Sequence, residues 1–332
     1  MNYFLGIDQG GTKTQVAICA EDGKLIGFET GQPSIFYLDD QENKSTAIAR
    51  YLAEKIITDY EAAVKLSAAC GGLTGIDWPH EVPIHEERLR EGLNLNDIIA
   101  VNDCIIAMRA GSAAPNRCII CCGTGMNMAV HTSDGTQFAY GYYPPGHLMG
   151  GTGLGNAVLN SVMEAEMGVI MPTMLTNIVL SHCGYKSVEQ LLIDLTTRKF
   201  SFAIQTLAPG LFDAAVAGDS AACRIIDTYV KGMVDWTKSL LLRFFPSGCN
   251  IELVYSGGLF KGNGNIIAKA MTKILLPDFP KVSFINARYE PVCGALLLLL
   301  DRHYNNNIPG NVKERFDKSC IHYGLIRDMG GL

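Results

Sequence analysis

The chain has 332 residues, with 27 Lys or Arg against 33 Asp or Glu and a formal net charge of −6. Hydrophobic residues make up 48% and charged residues 18%, which is enough core material for two ordinary domains. No basic cluster stands out, and phosphate backbones are bound by concentrated Lys and Arg, so nucleic acid is not the expected partner.

The predicted elements begin with three short strands joined by tight turns, which favours an antiparallel meander. The strands are predicted at 3–8, 14–20 and 25–29. Helices and buried-type strands then alternate: a helix at 46–63, a strand at 65–70 that ends in Gly71-Gly72, a helix at 85–91 and a strand at 97–102.

The same order of strands and helices then recurs in the second half of the chain, although the amino-acid sequence differs. Strands are predicted at 118–122, 127–131 and 138–143, helices at 158–167, 188–195, 202–217 and 220–245, a strand at 252–255, a helix at 265–276, a strand at 281–286 and a helix at 292–305. This repeat indicates an internal duplication. Small residues and a proline at 111–116 mark the best boundary. We therefore expect domains at 1–113 and 114–290, with 291–332 packing back onto the first.

Location and cysteine use follow from the apolar runs. Residues 1–6 have no basic start, and the most apolar run, 295–300, is too short to span a bilayer, so a cytoplasmic protein without membrane attachment is expected. The 11 cysteines lie mostly in apolar runs, which favours buried thiols. Cys118 and Cys121 have C-x-x-C spacing, but in a strand they point to opposite faces. A metal or iron–sulphur site is the less favoured alternative.

The first candidate site is the segment Asp8-Gln9-Gly10-Gly11-Thr12-Lys13-Thr14. An aspartate at the end of a buried strand can hold hydrated Mg²⁺, and Gly10 and Gly11 allow backbone N–H groups to approach phosphate oxygens. Thr12 and Thr14 add hydroxyl donors, with Lys13 between them. The spacing is not that of a Walker A loop, and a plain glycine hairpin is the alternative interpretation.

A second glycine hairpin, Gly123-Thr124-Gly125, opens the second half as the first hairpin opens the first. One such turn is weak evidence for a binding site. Two at matching positions suggest that both hold one polyphosphate.

The junction Asn102-Asp103 follows an apolar strand and precedes a helical pattern. An aspartate there could accept the proton of an attacking hydroxyl, which is the base role in phosphoryl transfer. From the local sequence alone, an Asn-Asp helix cap is the favoured interpretation of the pair.

Two further glycine-rich segments are candidates. Gly257 and Gly258, followed by Lys261, stand between a strand and a helix, where they would let a flat ring or a ribose come close. The segment 146–155 holds many glycines and fits a substrate loop or an interdomain hinge. His147 within it has no neighbouring partner in sequence.

In this order the motifs, over about residues 3–304, resemble the N-acetylglucosamine kinase and BadF/BadG/BcrA/BcrD ATPase family, in the acetate/sugar kinase, heat-shock chaperone and actin superfamily. The hairpin at 8–14 is similar to its phosphate-1 motif, 101–111 to its connecting segment, 122–127 to phosphate-2, 256–261 to the adenosine motif and 291–295 to the start of the closing helix. The resemblance implies an α/β fold of two ribonuclease-H-like, actin/hexokinase-type domains with an interdomain nucleotide cleft.

The resemblance also implies ATP and Mg²⁺ as cofactors and a sugar or amino sugar as acceptor. Asp103 would be the base and Asp8 would position Mg²⁺. Gly10 to Thr14 and Gly123 to Gly125 would hold the phosphates, and Gly257, Gly258 and Lys261 would lie near the nucleotide. The candidate substrate-binding residues are Asp77, Asn102, Asn127, Gly146, His147, Gly151 and Thr152.

Two departures from the family pattern concern the acceptor pocket. Sugar kinases of the family usually read Gly-Asp-Glu-Gly where this chain has Gly151 and Thr152, and often Pro-Ser-Asn where it has Pro33-Ser34-Ile35. Asp77 and Asn127 remain as polar candidates. The identity of the acceptor is therefore left open, as is a homodimer.

Two other functions fit the same superfamily. An activator ATPase of the 2-hydroxyacyl-CoA dehydratase type would need an iron–sulphur cluster, but the later cysteines are scattered, at Cys183, Cys223, Cys249, Cys293 and Cys320. A non-catalytic sugar or nucleotide sensor would fit the altered acceptor loop, whereas the retained Asp8 and Asp103 argue against it.

Overall fold

The computed structural model describes residues 1–33, 44–60, 63–141 and 143–327. The chain folds into two compact units. Of the described residues, the first unit holds those up to Ile119, those of Met128–Gly141 and those from Ile285 onward, and the second holds Ile120–Asn127 and those from Tyr143 to Phe284. The departure at Ser34 and Ile35 lies outside the described residues.

The first part of the chain forms a mixed five-stranded sheet and the helices around it. Its elements are β1 Tyr3–Gln9, β2 Thr14–Ala20, β3 Leu25–Gly31, α1 Lys44–Asp59, β4 Leu66–Leu73, α2 Val82–Leu93, β5 Ile98–Asn102 and α3 Asp103–Gly111. The strand order is β3-β2-β1-β4-β5. The β1–β2 and β2–β3 pairs are antiparallel, as the predicted meander requires, and the β1–β4 and β4–β5 pairs are parallel.

The second part repeats this plan. Its elements are β6 Arg117–Cys122, β7 Met126–His131, β8 Gln137–Ala139, α4 Gly150–Glu166, α5 Met174–Cys183, α6 Val188–Thr196, α7 Ala208–Val216, α8 Ser220–Phe244, β9 Ile251–Ser256, α9 Asn265–Leu275, β10 Val282–Asn286, α10 Pro291–His303 and α11 Gly310–His322. The second sheet has the order β10-β9-β6-β7-β8. Read in reverse, as β8-β7-β6-β9-β10, this order matches the order β3-β2-β1-β4-β5 of the first sheet, strand for strand. The predicted duplication of the plan is therefore confirmed.

Two apolar cores lie on opposite faces of the first sheet because the side chains of a strand alternate. On β1, Leu5 and Ile7 join the core shared with α1 and α2, whereas Phe4 joins the core shared with α10 and α11. Gly6 lies under α10, since a Cβ there would come within 2.9 Å of Leu296. Each fully buried Leu or Ile stabilises the fold by about 1.5–3 kcal/mol.

Several predicted boundaries are wrong. Gly71 and Gly72 belong to β4 and do not end it, because they make room for helices: a Cβ on Gly72 would lie 2.1 Å from Ile106 of α3. Helix α5 was not predicted, and β8 ends at Ala139, well before residue 143. Among the described residues, no helix combines the length and apolar character needed to cross a membrane.

Candidate active site

The carboxyl ends of three parallel strands bring the central residues of the first unit together. Asp8 pairs with Gly72, and Leu73 pairs with both Gln9 and Asn102. The residues that follow β4 and β5 therefore emerge beside the end of β1. Open α/β sheets bind their ligands at the carboxyl ends of their strands, and these residues lie at that end of the first sheet.

Asp103 is held at the first turn of α3. Asn102 caps this helix by accepting the N–H of Cys104 at 2.9 Å. The hydroxyl of Thr74, which follows β4, donates to the Asp103 carboxylate at 2.7 Å. Gly10 lies close by, because its ideal Cβ would be 4.0 Å from the Thr74 hydroxyl. The helix-cap interpretation is therefore confirmed for Asn102. The structure places Asp103 at the carboxyl end of the parallel strands, and its role as a base stays a prediction.

Both aspartates at this edge are harder to ionise than an exposed carboxyl group. Burial, and then the charge of Asp103, raise the pKa of Asp8 to about 7, although the positive charges of Lys13 and Arg327 oppose the shift. Burial also raises the pKa of Asp103, against the hydrogen bonds from Thr74 and Cys104. Two neighbouring carboxylates of raised pKa form a place where a cation would bind favourably.

Residues from the far end of the chain complete the surroundings of Asp8. Glu290 precedes α10, and its carboxylate lies 3.7 Å from the amine of Lys13 and 3.0 Å from the guanidinium of Arg327. Sequence reasoning missed Thr74, Glu290 and Arg327. Thr74 could have been found as the residue directly after a buried strand, but no local signal marks the other two.

Asp77 lies in the same group of side chains. The Asn102 amide donates to the carbonyl of Ile76 at 2.8 Å and to the Asp77 carboxylate at 3.3 Å. Burial and the charges of Asp103 and Glu81 raise the pKa of Asp77 to about 6. The structure therefore gathers four predicted site residues, Asp8, Asp77, Asn102 and Asp103, at one edge of the first sheet.

The first glycine hairpin has the tight shape that the sequence predicts. The N–H of Gly10 donates to the carbonyl of Lys13 at 3.1 Å, and Gly11 and Thr12 are exposed at the tip. Thr14 differs from the prediction, because it begins β2 and its side chain is fully buried. A hydroxyl inside the sheet cannot reach a phosphate, so we no longer assign Thr14 a direct contact.

The second glycine hairpin, in the other unit, rests on the start of α4. The N–H groups of Gly151 and Thr152 donate to the carbonyls of Gly123 and Thr124 at 2.8 and 3.0 Å. The Thr152 hydroxyl also donates to the Thr124 carbonyl, at 3.0 Å. In this structure the donors of Gly151 and Thr152 therefore hold the hairpin, and their contact with the substrate stays a prediction.

The glycine-rich segment is not the continuous loop that the sequence predicts: Gly146–Leu148 form a 3-10 turn, and from Gly150 onward the segment forms the first turns of α4. Its glycines permit close packing of backbone on backbone. A Cβ on Gly150 would lie 2.2 Å from the Gly125 carbonyl oxygen, and one on Gly155 would lie 2.2 Å from that of Ile204. The prediction failed because glycine has poor helix propensity, which tertiary packing overrides here.

Other glycines have space around them that the fold does not use. A Cβ on Gly123, Gly146 or Gly258 would meet nothing within 4 Å, and one on Gly125 only Met149 at 3.6 Å. Gly257 is different: its φ is +110°, and a Cβ there would lie 2.0 Å from the Cys122 carbonyl oxygen. Packing thus explains Gly257, whereas the open glycines leave room for a ligand to approach the backbone.

The remaining candidates lie in the second unit. His147 is exposed in a short 3-10 turn, Lys261 is exposed after the turn that contains Gly258, and Asn127 is half-buried in β7. Cys118 is buried, and burial raises the pKa of its thiol, so a thiolate ligand is disfavoured. Within the described ranges, no group of three or more His, Cys, Asp and Glu side chains could hold a metal ion.

Comparisons with known proteins show which proteins this chain is similar to. The chain is 26% identical over 314 residues to N-acetyl-D-glucosamine kinase of Dictyostelium discoideum, covering 90% of this chain and 98% of the relative. It is 24% identical over 306 residues to N-acetylmuramic acid/N-acetylglucosamine kinase of Clostridium acetobutylicum, covering 90% and 98%. The crystal structure of a candidate N-acetylglucosamine kinase from Chromobacterium violaceum superposes with a TM-score of 0.67 at 21% identity, covering 90% of this chain and 99% of that one.

The last comparison confirms the actin/hexokinase-type fold that the motifs predicted, with a mixed five-stranded sheet in each half. Residues 5–298 match the BadF/BadG/BcrA/BcrD ATPase family, which is most of the chain. The chain belongs to the BadF/BadG/BcrA/BcrD ATPase family.

Proposed function

We propose that this protein is an ATP-dependent kinase that phosphorylates a hydroxyl of a sugar, with an amino sugar as the preferred acceptor. The observation that carries the proposal is the Asp103 carboxylate, fixed by Thr74 at the first turn of α3 and close enough to Asp8 for their charges to interact. The two curated relatives, both named as kinases of N-acetylated sugars, support the acceptor class.

Asp103 would act as the general base. Its raised pKa brings it closer to the pH of the reaction than an exposed carboxylate, which favours proton transfer. The Thr74 hydroxyl donates to one carboxylate oxygen and orients the carboxylate, to which the acceptor hydroxyl would donate its own hydrogen bond. As the acceptor oxygen bonds to the terminal phosphorus of ATP, its proton passes to Asp103 and ADP leaves.

Asp8 would hold Mg²⁺. The fit is supported by the raised pKa of Asp8, because a divalent cation would offset both the burial and the nearby charge of Asp103. A small protein donor set also suits Mg²⁺, which usually binds through one or two carboxylates and keeps water and phosphate oxygens as its other ligands. When bound, Mg²⁺ would supply charge neutralisation for the phosphates.

The glycine hairpins would bind phosphate through backbone N–H groups. Gly10, Gly123 and Gly125 have open space where a Cβ would stand, with the nearest atoms at 3.6 Å or more. Exposed Thr12 and half-exposed Lys13 lie in the first hairpin and could add a hydroxyl and a positive charge. Gly258 has the same open space and would border the adenosine.

The test is ADP release from MgATP with a panel of N-acetylglucosamine, N-acetylmuramic acid, N-acetylmannosamine and glucose. We expect one acceptor to stimulate release, and Asp103→Asn to lower kcat by about 10²- to 10⁴-fold. Asp278→Asn is the matched control, because this exposed aspartate pairs with Lys238 on the surface of the second unit. Slow release that no sugar changes would refute the kinase and favour the activator ATPase or the sensor.

A further inference from the structure

The loop between β4 and α2 (residues 74–81) contacts the candidate base and carries a partly exposed tryptophan. Thr74 and Asp77 of this loop contact the Asn102-Asp103 pair. Trp78, the residue after Asp77, is 39% exposed, so part of its indole can meet a ligand. The function proposed above assigns nothing to Trp78.

The backbone of this loop is fixed from both sides. The buried Glu81 accepts the N–H groups of Asp77 and Trp78 at 2.8 and 2.9 Å. Gly141, whose φ is +53°, lies so close to Asp77 that its ideal Cβ would be 2.9 Å from the Asp77 Cβ. Asp77 and Trp78 are therefore held in place before any ligand binds, which lowers the entropic cost of binding.

A carboxylate next to an exposed indole has the chemistry that recognises a sugar. A pyranose ring has an apolar face of C–H groups and an edge of hydroxyl donors, so it needs a flat apolar surface and a hydrogen-bond acceptor side by side. Small-molecule sites commonly combine an aromatic wall with a few placed polar groups.

We infer that Asp77 and Trp78 form the acceptor subsite, where Trp78 covers one face of an N-acetylated sugar ring and Asp77 accepts a hydrogen bond from a hydroxyl or the amide N–H. This inference rests on the proposed kinase function and names the residue that would select the acceptor. Trp78 would thus act on acceptor affinity and leave ATP affinity unchanged.

The chain contains two tryptophans, which makes a direct binding test possible. In Trp236→Phe, Trp78 is the sole indole emitter, because the other tryptophan is the residue of α8 that has been replaced. Titration with N-acetylglucosamine, without nucleotide, should give a saturable change in emission. The matched variant Trp78→Phe, which keeps only Trp236, should give none.

A kinetic test complements the fluorescence. Trp78→Ala is expected to raise the KM for N-acetylglucosamine by about fivefold to tenfold, from the loss of one aromatic contact. The KM for ATP should stay unchanged, because Trp78 is assigned to the acceptor and not to the nucleotide. Trp78→Phe should recover part of the acceptor affinity.

The outcomes separate this inference from the kinase proposal. If a sugar on the panel is phosphorylated but neither Trp78 emission nor the acceptor KM responds, the subsite is wrong and the kinase stands. If emission saturates with N-acetylglucosamine although no sugar is phosphorylated, the subsite stands and the kinase fails. If no sugar is phosphorylated and the emission does not change, both the subsite and the kinase proposal are overturned.

Discussion

Removing the Thr74 hydroxyl tests how the candidate base is tuned. Thr74→Val keeps the shape of the side chain and deletes the 2.7 Å hydrogen bond to Asp103. Hydrogen bonds to charged groups contribute about 1.5–3 kcal/mol, and one pKa unit corresponds to about 1.4 kcal/mol. Because this bond lowers the pKa of Asp103, its loss should raise that pKa further and leave less of the carboxylate ionised at a given pH.

The assay is the pH dependence of kcat/KM with the acceptor found on the sugar panel. A base must be ionised to accept a proton. The acid limb of the profile should therefore move to higher pH in Thr74→Val, in the direction in which the pKa of Asp103 moves. On the acid side of the limb, activity should fall about 10- to 100-fold and recover at higher pH.

Thr74→Ser is the control, since it retains the donor and should keep the limb in place. A Thr74→Val enzyme that loses activity equally at every pH would refute this reasoning, because the hydroxyl would then serve structure and not the pKa of Asp103. A limb that shifts as far in Thr74→Ser would refute it too.

Three further variants give separate predictions. The pKa of Asp8 is about 7 in the folded protein against 3.8 as its ordinary value, so the folded state binds the proton more tightly and loses stability as pH rises between these values. Asp8→Asn should therefore unfold at higher urea at pH 8, with a gain on the order of 2 kcal/mol that is absent at pH 3, while kinase activity is lost. Gly257→Ala should destabilise the fold by more than about 2 kcal/mol, since φ is +110° and its Cβ would meet the Cys122 carbonyl at 2.0 Å; thermal unfolding measures this. Gly258→Ala should change stability by less than about 0.5 kcal/mol but raise the KM for ATP, and an unchanged KM would place the adenosine elsewhere.

The strands and their turns could be predicted because their signals are local. Short apolar, β-prone runs mark β1 and β2, and the glycine turn between them marks the hairpin. Asp8 and Asp103 could be named because each stands where a buried strand ends. Their proximity depends on the parallel pairing of β1, β4 and β5, which the letters of one strand do not specify.

The parts that could not be predicted depend on distant packing. Glu290 and Arg327 reach the surroundings of Asp8 from the end of the chain, and Gly72 is explained by a helix that follows it by some thirty residues. The helical start of α4 depends on contacts of Gly150 and Gly151 with the second hairpin. Glycine in isolation predicts a turn, so only the three-dimensional contacts reveal these roles.

The most direct test of the central claim is phosphorus NMR of a reaction that contains the protein, MgATP and N-acetylglucosamine. The account predicts a sugar phosphate signal that grows in step with ADP and is lost in Asp103→Asn but not in Asp278→Asn. Release of ADP with inorganic phosphate alone, whatever sugar is added, or full transfer by Asp103→Asn, would contradict it.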